Sequence, residues 1–139
     1  MKHLFILSCL LFTSVMWSKD VIFFNLIERD QLYYEKYKDI PFTGNVIGKI
    51  QGKISVGQKN GTWKIYYENG QLSYNVIYKY VKKEGEYLRF WKNGKAMAKG
   101  NYKNDKQEGE YLSYYKNGKL WAEDIYKNGQ LIASIKHEN

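Results

Sequence analysis

The sequence predicts an all-β protein, an elongated single-layer antiparallel sheet built from tandem β-hairpins. The first reason is a period of 24 residues, at which Gly61, Gly85 and Gly109 recur. The second is an Asn-Gly pair between two strand-like runs in each copy, which is a strong short-range hairpin signal. The third is that no stretch after residue 30 sustains helical periodicity. Two strands per copy, spaced by about 4.8 Å, give a sheet of roughly seven or eight strands.

The composition is that of one folded domain. Trp, Tyr and Phe make up 17% of the 139 residues and there is a single proline, which excludes a disordered chain. Lys and Arg number 22 against 14 Asp and Glu, a formal net charge of +8. This balance admits anionic partners, although dispersed lysines are also ordinary solubilising surface.

Residues 1–18 are predicted to be a signal peptide. A short basic start precedes the apolar run from Leu4 to Phe12, which is too short to span a bilayer, and cleavage is expected after Ser18. The mature protein is therefore predicted to be periplasmic or secreted, with envelope association as a further option. Two alternatives remain: an uncleaved membrane anchor, and lipidation of Cys9, which ends a stretch similar to a lipobox. If Cys9 is removed, no cysteine is left for a disulfide or a thiol nucleophile.

The rest of the chain divides into a lead-in and an array of repeats. Residues 19–41 do not repeat and are predicted to cap the array, because an end repeat must hide a face that no neighbour covers. Residues 42–139 hold the repeats: a degenerate copy at 42–60, full copies at 61–84, 85–108 and 109–132, and a short C-terminal tail. The glycine that opens each full copy is predicted to mark the second turn, which returns the chain to the next hairpin.

The Asn-Gly pairs are predicted to form the hairpin turns, at Asn69-Gly70, Asn93-Gly94 and Asn117-Gly118. In a two-residue turn, Trp63 would pair with Val76, and Tyr67 with Leu72. A three-residue turn with a bulge at the glycine would instead shift each second strand by one residue and invert its facing. The sequence leaves both turn types open.

With two-residue turns, one face of the sheet is aromatic. The second strands would contribute Leu72, Tyr74, Val76, Ala96, Ala98, Gly100, Tyr102, Leu120, Ala122 and Tyr126 to this face. The first strands supply the candidate binding surface: Trp63, Tyr67, Tyr87, Trp91, Tyr111 and Tyr115. The other face would mix charged and apolar side chains, among them Met97 and Trp121. The aromatic rings either await a partner or stack on one another and on the lead-in as the core of the repeat array.

The repeated pattern G-x-[WY]-x-x-[YF]-[YW]-x-N-G, followed by a Tyr-Lys-Asn step, resembles the MORN-type repeat in its bacterial variant, found in YwqK-like proteins that carry an antitoxin label. Stretches of the lead-in and the degenerate copy, Arg29 to Tyr34, Pro41 to Gly44 and Gly48 to Gly52, resemble the segment that precedes such repeats in exported members. The resemblance implies a hairpin-repeat sheet and a non-catalytic binding or scaffolding role. Some MORN proteins are credited with phospholipid binding, and others only with protein contacts.

The chain offers little material for catalysis, so no enzymatic activity, metal site or cofactor is predicted. His137 is the only histidine outside residues 1–18. The pairs Glu84/Glu86 and Glu108/Glu110 straddle a repeat glycine, and the lysines nearby favour cross-strand charge pairing over the two carboxylates of a glycosidase. Aromatic rings beside lysines also suit single-stranded nucleic acid, but export argues against such a partner.

The predicted function is therefore a protein-binding or scaffolding module that uses the aromatic face or an exposed strand edge. Peripheral binding to anionic membrane lipids is the alternative, although the lysines fall at turns and between acids rather than forming a cluster. An antitoxin-like partner of a toxin is a further alternative, which an export signal fits poorly. Self-association through unpaired sheet edges is also open. The sequence encodes no identity for the partner.

Overall fold

The computed structural model describes residues 18–138, so the predicted signal peptide, apart from Ser18, lies outside the described residues, and so does Cys9. One 3-10 turn (Phe23–Asn25) accompanies thirteen strands. They are β1 (Lys19–Ile22), β2 (Leu26–Arg29), β3 (Leu32–Glu35), β4 (Gly44–Ile47), β5 (Ile50–Ser55), β6 (Gln58–Tyr66), β7 (Leu72–Lys79), β8 (Lys82–Phe90), β9 (Ala96–Lys103), β10 (Lys106–Gln107), β11 (Gly109–Tyr114), β12 (Leu120–Lys127) and β13 (Gln130–Lys136).

Eleven of these strands form one open sheet, which confirms the predicted fold class. The strand order is β1-β4-β5-β6-β7-β8-β9-β11-β12-β13, with β10 also paired to β9. All neighbours are antiparallel except β1 and β4, which are parallel. The sheet exceeds the predicted seven or eight strands because β1 joins its edge, the short strand β10 precedes β11, and β13 extends the sheet into the C-terminal tail. Strands β2 and β3 form a separate two-stranded sheet.

The predicted hairpin turns at Asn69-Gly70, Asn93-Gly94 and Asn117-Gly118 are not tight two-residue turns. In the full copies such turns lie near the end of each copy, at Tyr80-Val81, Asn104-Asp105 and Asn128-Gly129, where both central residues have φ between 50° and 81°. The flanking residues pair directly, as Lys79 does with Lys82. These are the features of a type I′ turn, whose backbone twist matches that of the strands it joins.

The Asn-Gly pairs form the three-residue turn with a bulge. In the first copy, the Gly70 amide donates to the Tyr67 carbonyl (3.0 Å) and the Tyr67 amide donates to the Gln71 carbonyl (2.8 Å). Gly70 has a φ of 80°, in the left-handed region where glycine is favoured. Equivalent bonds close the turns at Asn93-Gly94 and Asn117-Gly118.

A second irregularity cancels the register shift of each Asn-Gly turn. Tyr66 pairs with Leu72 but Ile65 pairs with Tyr74, which leaves Ser73 as an extra residue in β7. Beyond this bulge, Trp63 pairs with Val76, as predicted for a two-residue turn. The inversion of the whole second strand that was tied to a three-residue turn therefore does not occur. The placement of Leu72, Ala96 and Leu120 on the aromatic face is wrong, because they pair with Tyr66, Phe90 and Tyr114 of the opposite face.

The glycines that open the copies lie at bulges rather than in turns. Between β7 and β8 the pairing changes from Val76 with Tyr87 to Tyr78 with Lys83, and Gly85 lies within this shift with a φ of 99°. Gly61 and Gly109 have φ values of 71° and 79°. The prediction that these glycines mark the second turn is wrong, because each glycine lies at a bulge four residues after the last residue of the turn itself.

The lead-in packs over the aromatic face of the first hairpins. The Tyr33 amide donates to the Gly57 carbonyl (2.8 Å), and the Phe42 amide donates to the Tyr33 carbonyl (2.8 Å). The Phe23 ring lies 6.1 Å from the Trp63 ring, edge to face. The buried core is continuous from the lead-in into the repeats. It comprises Val21, Leu26, Phe42, Val46, Ile54, Trp63, Val76, Tyr87 and Ala98.

Within residues 18–138, no helix is long and apolar enough to cross a membrane.

Candidate binding surface

The six candidate rings form two rows that run across the strands. The inner row is Trp63, Tyr87 and Tyr111, and the outer row lies four residues later in each copy, beside the Asn-Gly turns. The outer row is Tyr67, Trp91 and Tyr115. The two rows have different surroundings, and only one of them borders open grooves along its length.

The inner row belongs largely to the core. Trp63 and Tyr87 are 3% and 7% exposed, and Tyr111 is half-buried with its ring 6.0 Å from that of Tyr87. Glycines make room for two of these rings, since a Cβ on Gly100 would lie 2.4 Å from Tyr111 and one on Gly52 would lie 2.3 Å from Trp63. Of the two interpretations of the aromatic face, self-stacking describes Trp63 and Tyr87.

Burial also sets the electrostatics of the tyrosines around the inner row. Removal from water raises the pKa of Tyr74, Tyr78, Tyr102 and Tyr111, because it disfavours the charged phenolate. Neighbouring tyrosines and, for Tyr78, the Asp105 carboxylate add to this rise. These phenols are therefore neutral at physiological pH.

Each outer ring donates a hydrogen bond to the backbone of the following repeat or, for Tyr115, of the C-terminal tail. The tyrosine hydroxyls and the indole N–H all donate to carbonyl groups 22 or 23 residues further along the chain. The bonds are Tyr67 Oη to the Phe90 carbonyl (2.7 Å), Trp91 Nε1 to the Tyr114 carbonyl (3.3 Å) and Tyr115 Oη to the His137 carbonyl (3.1 Å). The outer rings are thus half-buried, held in fixed orientations, and still in contact with solvent.

The predicted turn asparagines link neighbouring repeats as well. The Asn69 side chain accepts from the Gln71 amide (3.2 Å) and donates to the Lys92 carbonyl (3.0 Å). Asn93 does the same with Lys95 (3.1 Å) and Lys116 (2.9 Å). The first bond shapes the turn and the second holds the next turn beside it, so Lys92 and Lys116 occupy equivalent places in successive repeats. In the third copy, Asn117 accepts from the Lys119 amide (2.9 Å).

Two shallow grooves lie between the rings of the outer row. The first groove, of about 460 Å³, runs between Tyr67 and Trp91 and is also lined by Lys92, Asn93, Met97 and Lys116. The second groove, of about 390 Å³, runs between Trp91 and Tyr115. It shares Trp91, Met97 and Lys116 with the first and adds Arg89, Tyr111 and Trp121, among others. The shared side chains form a ridge between two related depressions.

The grooves carry positive charge, and among residues 18–138 no carboxylate lines either of them. The Lys92 ammonium lies 6.0 Å from the Tyr67 ring centre, and the Lys116 ammonium lies 5.5 Å from the Trp91 ring centre. Glu68 lies near Lys92, but it forms an ion pair with Lys49. That ion pair, and to a lesser extent Lys92, lowers the pKa of Glu68. An anionic group in the grooves would therefore meet cations whose charge is not already balanced there.

Sequence reasoning missed Met97 and Trp121 as groove residues. Strict alternation placed both on the opposite face, but each is the extra residue of a bulge. The Trp121 ring lies 6.5 Å from the Tyr115 ring of the outer row. Lys92 and Lys116 were not singled out either, although a lysine follows the outer ring in both the second and the third copy.

A second cationic feature lies along the side of the sheet where the strands end in the type I′ turns. Four lysines surround a depression of about 590 Å³, and we call them the lysine edge: Lys82, Lys103, Lys106 and Lys127. No ion pair engages them within residues 18–138. The argument from sequence that the lysines do not cluster is wrong, because stacked hairpins bring the turns of successive copies to the same edge.

The repeated glutamates stabilise turns. Glu84 accepts from the Asn104 amide (2.8 Å), and Glu108 accepts from the Asn128 amide (2.7 Å). Each carboxylate thus satisfies a backbone donor in the type I′ turn of the next hairpin, rather than forming the expected charge pair with a lysine. His137 Nε2 lies 2.8 Å from Glu123 Oε1. Within the described part of the chain, no three His, Cys, Asp or Glu residues are grouped as metal ligands.

The fold and these surfaces define a class of protein, an open hairpin-repeat sheet that presents side chains for binding. More specifically, the family model described as a MORN repeat variant matches residues 59–80, 83–104 and 107–128. The chain therefore contains three tandem MORN repeats of this variant, with the predicted 24-residue period. MORN repeats are non-catalytic modules that are generally associated with protein or membrane-lipid binding. No curated protein matches the chain.

Proposed function

We propose that this protein is a non-enzymatic, exported module that binds a partner protein in the two grooves beside Trp91. The observation that carries the proposal is the pair of open, carboxylate-free grooves lined by half-buried aromatic rings. Trp, Tyr, Met and Arg are the side chains enriched at protein interfaces, and a ring that is partly buried before binding offers a large contact area.

The fixed orientation of the outer rings supports this role. Tyr67, Trp91 and Tyr115 each donate a hydrogen bond to the backbone of the next repeat or of the C-terminal tail, so they lose little conformational freedom when a partner binds. Preorganisation of this kind increases affinity by lowering the entropic cost of binding. The same geometry supports a scaffolding role, because a rigid sheet would hold the bound partner at a fixed distance from any second molecule that the sheet contacts.

Export is the second component of the proposal. The basic start, short apolar run and small residues within 1–18 support it. An exported protein would meet partners in the periplasm, outside the cell or at the envelope. We therefore do not propose neutralisation of a cytoplasmic toxin.

Photo-crosslinking in the native envelope tests the proposal. A photoreactive residue at Met97, on the ridge between the grooves, should yield a discrete crosslinked protein. The same residue at Lys99, which is exposed and two positions further along β9, serves as the control and should not. Identical crosslinks from both positions would contradict the proposal.

Charge reversal in the groove should weaken partner binding without affecting the fold. We expect Lys116→Glu to lower the affinity for the crosslinked partner about tenfold or more, because it places a carboxylate in both grooves. Lys119→Glu is the matched control, since it makes the same change three residues away in the same turn region and outside both grooves. Affinity measured by titration and thermal melting of both variants would check the prediction. Equal affinities for the two variants would exclude the grooves as the binding surface.

The lysine edge favours a second candidate function, peripheral binding to anionic membranes. Lysines near an anionic surface contribute about 1 kcal/mol each, so the four lysines of the edge could hold the protein at a membrane. Sedimentation with phosphatidylserine vesicles should decrease steeply with salt. The double variant Lys103→Gln/Lys106→Gln should reduce binding by roughly 30-fold. The control Lys53→Gln/Lys64→Gln removes two exposed lysines elsewhere and should have a smaller effect. Absence of sedimentation at low salt would exclude this function.

A further inference from the structure

The two grooves are related by one step of the repeat. Tyr67 and Lys92 border the first as Trp91 and Lys116 border the second. One repeat advances the sheet by two strands, so equivalent backbone positions beside the two grooves are about 9.6 Å apart across the strands, although the inner rings of Tyr87 and Tyr111 lean to within 6.0 Å of each other. A partner that fills both grooves must present two similar groups at this spacing.

The charges of the grooves define the chemistry of those groups. Lys116 borders both grooves, Lys92 adds a second cation to the first, and Arg89 adds one to the second. Since no carboxylate lines either groove, a negatively charged group would be stabilised in each. The partner groups that match the grooves are therefore carboxylates, carried by a peptide segment whose other side chains are apolar or contain rings.

Only some backbone conformations place two side chains on one side at this distance. In a polyproline II helix, residues i and i+3 point the same way and lie about 9.3 Å apart, whereas i+1 and i+2 point elsewhere. In a β-strand, residues on one face lie about 6.7 or 13 Å apart. In an α-helix, residues i and i+7 are about 10.5 Å apart, but i+3 and i+4 lie between them on the same face. Those intervening side chains would meet the ridge formed by Trp91, Met97 and Lys116.

Resting on the function proposed above, we propose that the two grooves recognise an acidic segment of the partner protein in polyproline II conformation, with a carboxylate at every third residue. The segment crosses the strands and places one carboxylate beside Lys92 and Lys116 and the next beside Lys116 and Arg89. Its intervening residues pass over the ridge. Aromatic-lined grooves suit this conformation because it is preformed and loses little entropy on binding.

Titration of the full chain with synthetic peptides tests the proposal. The probe is a peptide of about twelve residues that repeats Glu-Pro-Pro. The control peptide has the same composition, but its glutamates are adjacent in pairs. We expect the periodic peptide to bind about tenfold or more tightly than the permuted one, and a Lys-Pro-Pro repeat not to bind. Lys116→Glu should weaken binding of the periodic peptide about tenfold, and Lys119→Glu should leave it unchanged.

Three outcomes would overturn the inference. Equal affinity for the periodic and permuted peptides would exclude the three-residue spacing. Failure of every acidic peptide to bind would exclude the acidic segment, while the crosslinks from Met97 would test separately whether a protein occupies the grooves. Sedimentation with anionic vesicles that is lost in Lys116→Glu but retained in Lys103→Gln/Lys106→Gln would assign the grooves to lipid headgroups instead.

Discussion

Raising the pH above about 10 is expected to unfold this protein cooperatively, because a group of phenols is partly buried in the lead-in and the repeats. Burial raises the pKa of Tyr33, Tyr74, Tyr78, Tyr102 and Tyr111 above the ordinary value of 10.0. Desolvation is the largest cause at each site. For Tyr33, a hydrogen bond to the nearby Glu28 carboxylate is the next largest, since it too favours the protonated phenol.

The direction of the effect follows from proton linkage. In the unfolded chain these phenols lose their protons near pH 10, whereas in the folded chain they retain them to higher pH. The stabilisation is therefore fully present below pH 10 and is lost as the pH rises, by about 1.4 kcal/mol per pH unit for each phenol that ionises only on unfolding. The rings are partly exposed and solvent screens part of this loss. Even so, five such groups should remove several kcal/mol within one to two pH units, against a total stability of about 5–15 kcal/mol.

One half-buried cation acts in the opposite direction. Burial lowers the pKa of Lys59, and the Lys83 charge adds to this, while the Glu28 carboxylate opposes it. A lysine with a lowered pKa in the folded state adds stability as the pH rises from that value toward 10.5, its value in the unfolded chain. A single group of this kind does not offset five phenols, so the net effect above pH 10 remains destabilising.

The alkaline transition can be followed by absorbance at 295 nm, which reports phenolate, and by far-ultraviolet circular dichroism. We expect a cooperative part of the phenolate signal to coincide with the loss of β-structure. Tyr111→Phe should shift the transition to higher pH because it removes one of the linked phenols. Tyr37→Phe and Tyr80→Phe should not, since these side chains are 100% and 75% exposed. Complete ionisation of tyrosine near pH 10 with the dichroism unchanged would contradict the prediction.

The sequence was sufficient to predict the hairpin-repeat sheet because the repeat is a physical unit. Each copy carries two strand-like runs and turn residues at fixed positions, and the pairing of Trp63 with Val76 follows from the position of Asn69-Gly70 between the strands. The double irregularity around each turn was not predictable in this way. Its two shifts cancel, so the pattern beyond the bulge is the same as for a simple two-residue turn.

This cancellation explains why part of the binding surface was missed. Compared with a simple two-residue turn, side chains change face between the turn and the bulge or at the bulge itself. Met97 and Trp121 are two of these residues. The tight turn at Tyr80-Val81 was missed for a different reason. A left-handed φ is costly for a β-branched residue, so Val81 gives no turn signal, and its φ of 62° reflects the stacking of the hairpins rather than local preference.

The lysine edge and the covered inner row both depend on how copies are stacked. Lys82, Lys103 and Lys127 are far apart in sequence, and only the alignment of successive turns brings them together. In the same way, the sequence predicts that the non-repeating lead-in caps the array. It does not indicate which ring the lead-in covers. That ring is Trp63, which contacts Phe23 and is 3% exposed.

Replacing Trp63 by alanine should cost about 4 kcal/mol of unfolding free energy, the usual scale for removing a large buried ring. The indole joins the lead-in to the repeats, with ring-centre distances of 6.1 Å to Phe23 and 6.4 Å to Tyr78. It also faces the Lys59 ammonium at 4.9 Å, which would lose a cation–π contact while remaining desolvated. Denaturant titration followed by circular dichroism would measure the loss, and limited proteolysis should show faster cleavage of the lead-in around Tyr37.

Trp63→Phe separates the packing of the ring from its polar group. The indole Nε1 is buried without a hydrogen-bond partner among residues 18–138, and a buried unpaired donor costs about 1–3 kcal/mol. Phenylalanine removes that donor and still places a ring over Gly52, where a Cβ would lie 2.3 Å from the present indole. The smaller ring leaves some space unfilled, so we expect the two effects to offset each other and the variant to lie within about 1 kcal/mol of the wild type. A loss as large as that of the alanine variant would mean that the full volume of the indole, rather than an aromatic ring of any size, is needed to hold the lead-in on the repeats.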